Sequence, residues 1–366
     1  MIEMLKNLVA IKSDTESGAN EALRYCSTWL TSHDIPHQVI ENDGRLMIHT
    51  EVGQGPSTIV WNGHVDVVPG KIEQFNPYIE GDRLYGRGTA DMKAGVAAMM
   101  EAFRRISSAK EKLQQRIVLH IVTDEETGGR KTSGHLVELG HSGDFVICGE
   151  PTHLKLSVQS KGIVQIDITF LGKAAHGSRP WEGKNAIEAS YAFHEKLMTL
   201  PFTTASNAYY EYPSINLAKI QAGDRYNVVP DHCEVGYDIR FVPGQKWQDI
   251  LQQMTDLAQS INPLNSVKVR GKSPAITTTE NNKFVQTLAD VTADVTQKEA
   301  VLFGQHGAAD TRYYAKTGAA AIEFGPSGDD WHGPGEYVVI SSVKQYADIL
   351  TKHALVGTHL NDKPYV

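Results

Sequence analysis

Apolar positions along this chain follow three successive patterns. Between Glu3 and His33 they recur at helical spacing, with Leu23, Cys26, Trp29 and Leu30 falling close together, and the run stops before the turn-like HDIP. That predicts a surface helix. From Arg45 to Glu150, near-continuous apolar runs such as STIVWNGH and RIVLHIV alternate with helical stretches, notably MKAGVAAMMEAFRRI. Strands that are apolar on both sides belong in a parallel sheet covered on both faces. Beyond GEPT the pattern changes. VQIDITFLG alternates strictly, a helix follows over Asn185 to Leu197, and then come SINLAKIQAG, CEVGYDIRFVP, a helix over Lys246 to Ile261 and the strand SVKVRGK. This β-α-β-β-α-β order is the split ferredoxin-like unit. From about Pro274 the alternation of helix and strand resumes. The expected fold class is α/β: a mixed, largely parallel sheet flanked by helices, built from residues 1–159 and 273–366, with residues 160–272 inserted as a separate α+β ferredoxin-like domain.

Composition supports an ordinary globular protein and narrows its partners. The chain has 366 residues, of which 41% are apolar, enough for two buried cores. Acidic residues exceed basic ones by 43 to 35 and no basic run is present, so neither nucleic acid nor anionic lipid is an expected partner. No segment reaches the length of a membrane span, and the opening MIEMLKNLVAIKSDTESG lacks the apolar core of a signal peptide, so a cytoplasmic location is expected. Cys26, Cys148 and Cys233 form no C-x-x-C pair, which argues against a disulfide framework or a thiolate zinc site.

Candidate chemistry lies where the predicted strands end. STIVWNGHVD runs out at His64, RIVLHIVTDEE at Glu126, DFVICGE at Glu150 and AAAIEFGPSGDDWH leads to His332, while Asp91 follows GRGTA and opens a helix. Ligands bind at the carboxyl ends of strands in open α/β sheets, so these side chains suggest a metal-dependent site. Residues two apart on an extended segment point the same way, which would let the Asp66 carboxylate orient the His64 ring. Each residue also has a plainer reading: Asp91 as a helix N-cap, Glu125 and Glu126 as solvated loop acids, His332 as one of fifteen histidines. Other motifs fail for a missing residue. GRGTAD has Asp91 where a dinucleotide fingerprint needs its third glycine, HEKLM lacks the second histidine of a zincin, and neither GHSGD nor GPSGD is a nucleophile elbow.

Taken jointly, Asp91, Glu126 and Glu150 with a bridging hydroxide would balance two divalent cations. A mixed carboxylate and imidazole set suits Zn2+, with Co2+ or Mn2+ as substitutes, and is too rich in nitrogen for calcium. Glu125, one residue from a ligand, is then placed as a general base on a water bridging the metals, and the reaction is amide hydrolysis.

GHVDVVPG, LYGRGTADMKAG, TDEETGG, GEPT, GKAAHGSRP, NVVP, DIRFVPG and the late His332 occur in the order seen in the dinuclear metallohydrolase superfamily. The chain strongly resembles that superfamily, which includes acetylornithine deacetylase, succinyl-diaminopimelate desuccinylase, aminoacylase and the glutamate carboxypeptidases. The resemblance implies that His64 and Glu150 bind one zinc, Glu126 and His332 the other, and Asp91 bridges them. It makes Glu125 the general acid/base and Asp66 the orienter of His64. It implies further that the inserted domain is a lid that dimerises, that His176 reaches the partner subunit's site to stabilise the oxyanion, and that Asn227 and Arg240 bind the substrate carboxylate. Ala94, Ala309 and Gly335 depart from common family residues, which weakens a specific desuccinylase assignment. The implied function is hydrolysis of an N-acyl-L-amino acid of the acetylornithine or succinyl-diaminopimelate type. The alternatives are a dipeptidase or carboxypeptidase on the same site and, from another class, a metal-free binding protein of the same fold.

Overall fold

The computed structural model describes residues 1–356; residues 357–366, the end of the last expected segment, lie outside the described residues. The chain forms two compact units, one of residues 1–158, 277–303 and 309 onward, the other of residues 159–276 and 304–308.

In the first unit the sheet is mixed, and parallel at its centre. Strand Thr58–His64 pairs in parallel with Arg116–Val122 on one side and with Phe145–Cys148 on the other, and Ala320–Glu323 pairs in parallel with Phe145–Cys148. Arg45–Val52 and Gln38–Asn42 add antiparallel strands at one edge. The central strands are buried on both faces, as their continuous apolar runs require. One face carries the helix Ala94–Ser107, whose Phe103 meets Trp61 edge-on; on the other, Val60, Val118, Val146 and Cys148 pack against Tyr314. Register positions the loops. His64 lies opposite Val122, and Asn62 opposite Cys148, so the loops after these strands leave from the same edge of the sheet.

The single N-terminal helix expected from Glu3 to His33 is instead two, Ile2–Ala10 and Glu16–Ser32. Thr15 caps the second, its side chain accepting the Gly18 N–H at 3.2 Å. Ser, Asp and Thr side chains compete with helical hydrogen bonding, and the S-D-T cluster ends the first helix for that reason. The turn is tight: a Cβ on Gly18 would stand 1.9 Å from the Lys12 carbonyl oxygen.

The second unit is a four-stranded antiparallel sheet with two helices, Ala186–Leu197 and Trp247–Ile261. The alternation read in VQIDITFLG becomes one buried face, with Val164, Ile166, Ile168 and Phe170 packed on Phe193 and Met254. The edge strand Ser214–Ala222 is exposed along most of its length. Among the described residues, no helix is long and apolar enough to cross a membrane, and Cys26, Cys148 and Cys233 are buried free thiols.

Candidate metal centre

His64 ends its strand almost wholly buried, and the two nitrogens of its ring are used differently. Nδ1 lies 2.9 Å from the backbone carbonyl of Asp66, so the ring presents Nε2 to the loops beyond the sheet. The Asp66 carboxylate, expected to orient this ring, lies beside it and also reaches the next loop. Its Oδ1 is 3.5 Å from Nδ1, while its shorter bonds accept the backbone N–H groups of Glu126 (3.0 Å) and Glu125 (3.3 Å). Asp66 therefore fastens the acidic loop after Arg116–Val122, and its own carbonyl sets the histidine tautomer.

Asp91 is not a helix cap. It sits in an irregular turn ahead of the helix Ala94–Ser107, with non-helical dihedrals (φ −114, ψ 96) and a cis bond to Met92. Its carboxylate divides between two histidines: Oδ1 is 3.1 Å from His64 Nε2, and Oδ2 is 3.3 Å from His332 Nε2. Beyond His64 stands Glu150, with Oε1 3.9 Å from Nε2; beyond His332 stands Glu126, with Oε1 3.3 Å from Nε2. Donor atoms of His64, Asp91 and Glu126 all lie within 4.8 Å of one another. Five residues spread over the chain thus meet, and Asp91 is shared by the two halves.

Without a metal ion, the electrostatics of these side chains draw positive charge onto the two histidines. Burial opposes protonation of His64, but the Asp66 and Asp91 carboxylates and Glu150 outweigh it and hold its pKa well above the usual histidine value. Hydrogen bonding to Asp91 and Glu126 lifts His332 to about 10. Burial pushes Glu150 well above the carboxylate range, despite the opposing field of His64. Glu126 Oε1 is buried, with no hydrogen-bond partner apart from its contact with His332 Nε2 at 3.3 Å. A buried carboxylate oxygen facing an imidazole and a shared carboxylate fits a cation.

Glu125 lies beside this set. Its carboxylate is nearly buried, with Arg312 Nη2 3.9 Å from Oε1, and burial followed by the charge of Asp310 raises its pKa well above the usual value. The loop that holds it is built around buried groups: Asp124 accepts the Lys131 N–H at 2.9 Å and the Thr132 hydroxyl. Gly129, at φ +64, has no room for a side chain, because a Cβ would stand 2.0 Å from Asp310 Oδ1.

Residues 60–355 match the description of peptidase family M20/M25/M40. The chain belongs to this family. It is similar to the succinyl-diaminopimelate desuccinylase of Alkalilimnicola ehrlichii, 29% identical over 301 residues that cover 78% of this chain and 80% of that one. It is also similar to the acetylornithine deacetylase of Aliivibrio fischeri, 26% identical over 357 residues covering 93% and 92%. Among solved structures, aminopeptidase PepT from Bacillus cereus superposes with a TM-score of 0.82 over 97% of each chain, at 19% identity. The superfamily read from the motifs is borne out, and with it a metal-dependent hydrolase of the deacylase and metallopeptidase class.

The remaining M20 positions expected to act lie in the second unit, and they do not gather into one cluster. His176 and Asn227 sit on adjoining loops: His176 bridges Val228, and the Gly177 N–H donates to the Asn227 carbonyl at 2.7 Å. Ser178 engages His176 Nδ1 at 2.8 Å. Arg240 is at the other end of the sheet, opposite Ile163, whereas the loop bearing His176 follows Leu171, which faces His232. Its guanidinium pairs with Asp238, Nε to Oδ1 at 2.6 Å.

Several buried groups at the first unit's centre escaped the sequence reading. Asp310 and Arg312 flank Glu125; Arg87 and Glu336 form a buried ion pair at 2.7 Å; and Glu323, at the end of its strand, is raised to about 8 by burial and by Asp91. The signal for Glu323 was present, since a carboxylate closing the apolar run AAAIE is costly unless it has a role. Arg87 and Glu336 stood in loops rich in glycine, where a charged residue is unremarkable.

Proposed function

We propose that this chain hydrolyses the amide bond of an N-acyl-L-amino acid, with two divalent metal ions held at the centre around Asp91. The observation that carries this reading is the division of Asp91, whose two oxygens each face a different histidine. His64 and Glu150 would hold one ion, Glu126 and His332 the other, with Asp91 between them. The donor set of imidazoles and carboxylates suits zinc, and cobalt or manganese as substitutes. When bound, such ions polarise the scissile carbonyl and lower the pKa of the attacking water. Glu125 takes the proton from that water and returns it to the leaving amine. Asp66 holds the backbone of Glu125 and Glu126 in place.

The second unit acts as lid and dimerisation domain. His176 stabilises the developing oxyanion, Asn227 and Arg240 bind the substrate carboxylate, and a guanidinium fork suits that task. Their placement supports a site shared between two chains. Eight residues of extended strand separate the His232 and Arg240 ends, roughly 26 Å at about 3.3 Å per residue, which is longer than a small acyl amino acid. One lid cannot bring both ends to one substrate; two lids can. The exposed edge strand Ser214–Ala222, with Leu217 and Ile220 at its surface, supports pairing with a second copy.

Acyl amino acids and dipeptides present the same scissile amide and free carboxylate, so exopeptidase activity is the second reading, favoured by the likeness in fold to an aminopeptidase. Purified enzyme stripped with a chelator and reloaded with zinc, tested on N-acetyl, N-succinyl and dipeptide substrates, checks both. Turnover restored on an N-acyl amino acid is expected. Turnover confined to dipeptides would move the assignment to the exopeptidase, and turnover unaffected by chelation would refute the metal mechanism.

A further inference from the structure

We infer that the buried Arg87–Glu336 pair is a positioning device that fixes the spacing of Asp91 and His332 and thereby sets affinity for one of the two metal ions. The inference rests on the dinuclear reading of the centre. Arg87 and Glu336 are 3% and 2% exposed and lie 249 positions apart in the chain. Glu336 accepts four hydrogen bonds from the turn that carries Asp91. Oε2 takes Arg87 Nη1 at 2.7 Å and the Gly88 N–H at 2.9 Å, and Oε1 takes the N–H groups of Ala90 at 3.0 Å and of Asp91 itself at 3.1 Å. A run of backbone N–H groups folded round a carboxylate in this way is an anion nest, here filled by the protein's own side chain. The other arm of the guanidinium, Nη2, donates to the His332 carbonyl at 3.1 Å.

One side-chain pair thus grips the backbone of both Asp91 and His332. His64 and Glu150 are held differently, by the ends of buried strands and, for His64, by the Asp66 carbonyl. His332 has no such support: it is on a loop at φ +61, with its side chain 55% exposed. A left-handed backbone at a residue with a Cβ is strained and persists only where surrounding contacts hold it. Both ions would lean on Asp91 but only one on His332, so loosening the pair should weaken the ion at Glu126 and His332 more than the ion at His64 and Glu150.

The test is calorimetric titration of Zn2+ into the metal-free full-length wild type, Glu336→Gln and Arg87→Gln, with thermal unfolding of each metal-free form. In Glu336→Gln an amide N–H2 replaces one oxygen and confronts backbone donors. In Arg87→Gln the tether to His332 is lost, while Glu336 keeps its three backbone partners. Wild type should bind two ions. In both variants one ion should bind within about threefold of wild type and the other about 10- to 100-fold less well, the range usual for partners of metal ligands. Binding of both ions as in wild type, or an equal loss of both, would overturn the inference. If metal-free Glu336→Gln shows no cooperative melt, Arg87→Gln decides alone. A wild type that binds fewer than two ions would instead overturn the dinuclear reading, a separate result.

Discussion

Asp66→Asn isolates the work of one buried carboxylate. Oδ1 and Oδ2 accept the N–H groups of Glu125 and Glu126 at 3.3 and 3.0 Å, in a residue that is 4% exposed. Asparagine preserves the shape but sets an N–H2 where one acceptor stood, so one backbone donor is left facing another donor. A buried unsatisfied donor costs about 1–3 kcal/mol. In a unit of this size each kcal/mol moves the melting temperature by about 2–4 °C, so the variant should unfold about 5 °C below wild type. Turnover should suffer more. The same two bonds place Glu125 and Glu126, and a misplacement of about 1 Å at reacting groups can cost about 100-fold, so kcat should fall by about that factor with KM nearly unchanged. Thermal unfolding of the metal-free protein, together with steady-state kinetics of the zinc-loaded protein, measures both effects. A variant that melts with wild type and turns over within about threefold of it would refute the role given to these bonds. Weaker binding of one metal ion with kcat intact would return Asp66 to the ring-orienting part expected from its spacing to His64.

Glu125→Gln should retain two metal ions by elemental analysis yet lose about 10²- to 10⁴-fold in kcat, because it removes the proton acceptor; near-normal turnover would exclude Glu125 as the base. The contribution of His353 to metal-free stability should fall in mild acid. Burial holds its pKa down to about 4, against about 6.5 in the unfolded chain. Between those values the unfolded chain binds a proton that the folded imidazole refuses. This contribution is therefore complete above about pH 6.5 and is lost as pH falls toward 4, about 3 kcal/mol in all. Denaturant titrations of wild type and His353→Gln across that range check this, and a difference between the two that does not change with pH would contradict it. Finally, mixing His176→Ala chains with Asp91→Ala chains should recover part of the activity, since a heterodimer can form one intact site; confirmed heterodimers without activity would argue against a shared site.

The strand pattern was legible because burial on both faces leaves an unbroken apolar run, as in RIVLHIV, and such a run ends where the chain reaches an edge of the sheet. That was enough to find His64, Glu126 and Glu150 as neighbours. The break at Lys12–Thr15 was missed because helical spacing resumes on the far side of it, and only the Thr15 cap marks the interruption. Asp91 looked like a cap because it precedes a helix, and nothing local reveals that its carboxylate turns to two histidines instead. The hold of Asp66 on the Glu125–Glu126 loop was hidden for a similar reason: spacing shows which side chains share a side of the strand, but not which backbone donors a distant loop brings to them.

From its sequence alone this chain declares its fold class, its family and the residue types of its centre, because periodicity and motif order are local properties that survive without coordinates. Contacts between residues hundreds of positions apart are another matter. The gathering of His332 with Asp91 and Glu126, and the burial of Arg87 with Glu336, depend on which loops the sheet register brings to the same edge. Whether a charged group such as Arg87 or Glu336 ends in solvent or under another chain segment is settled by packing, and their glycine-rich neighbours in sequence do not encode it.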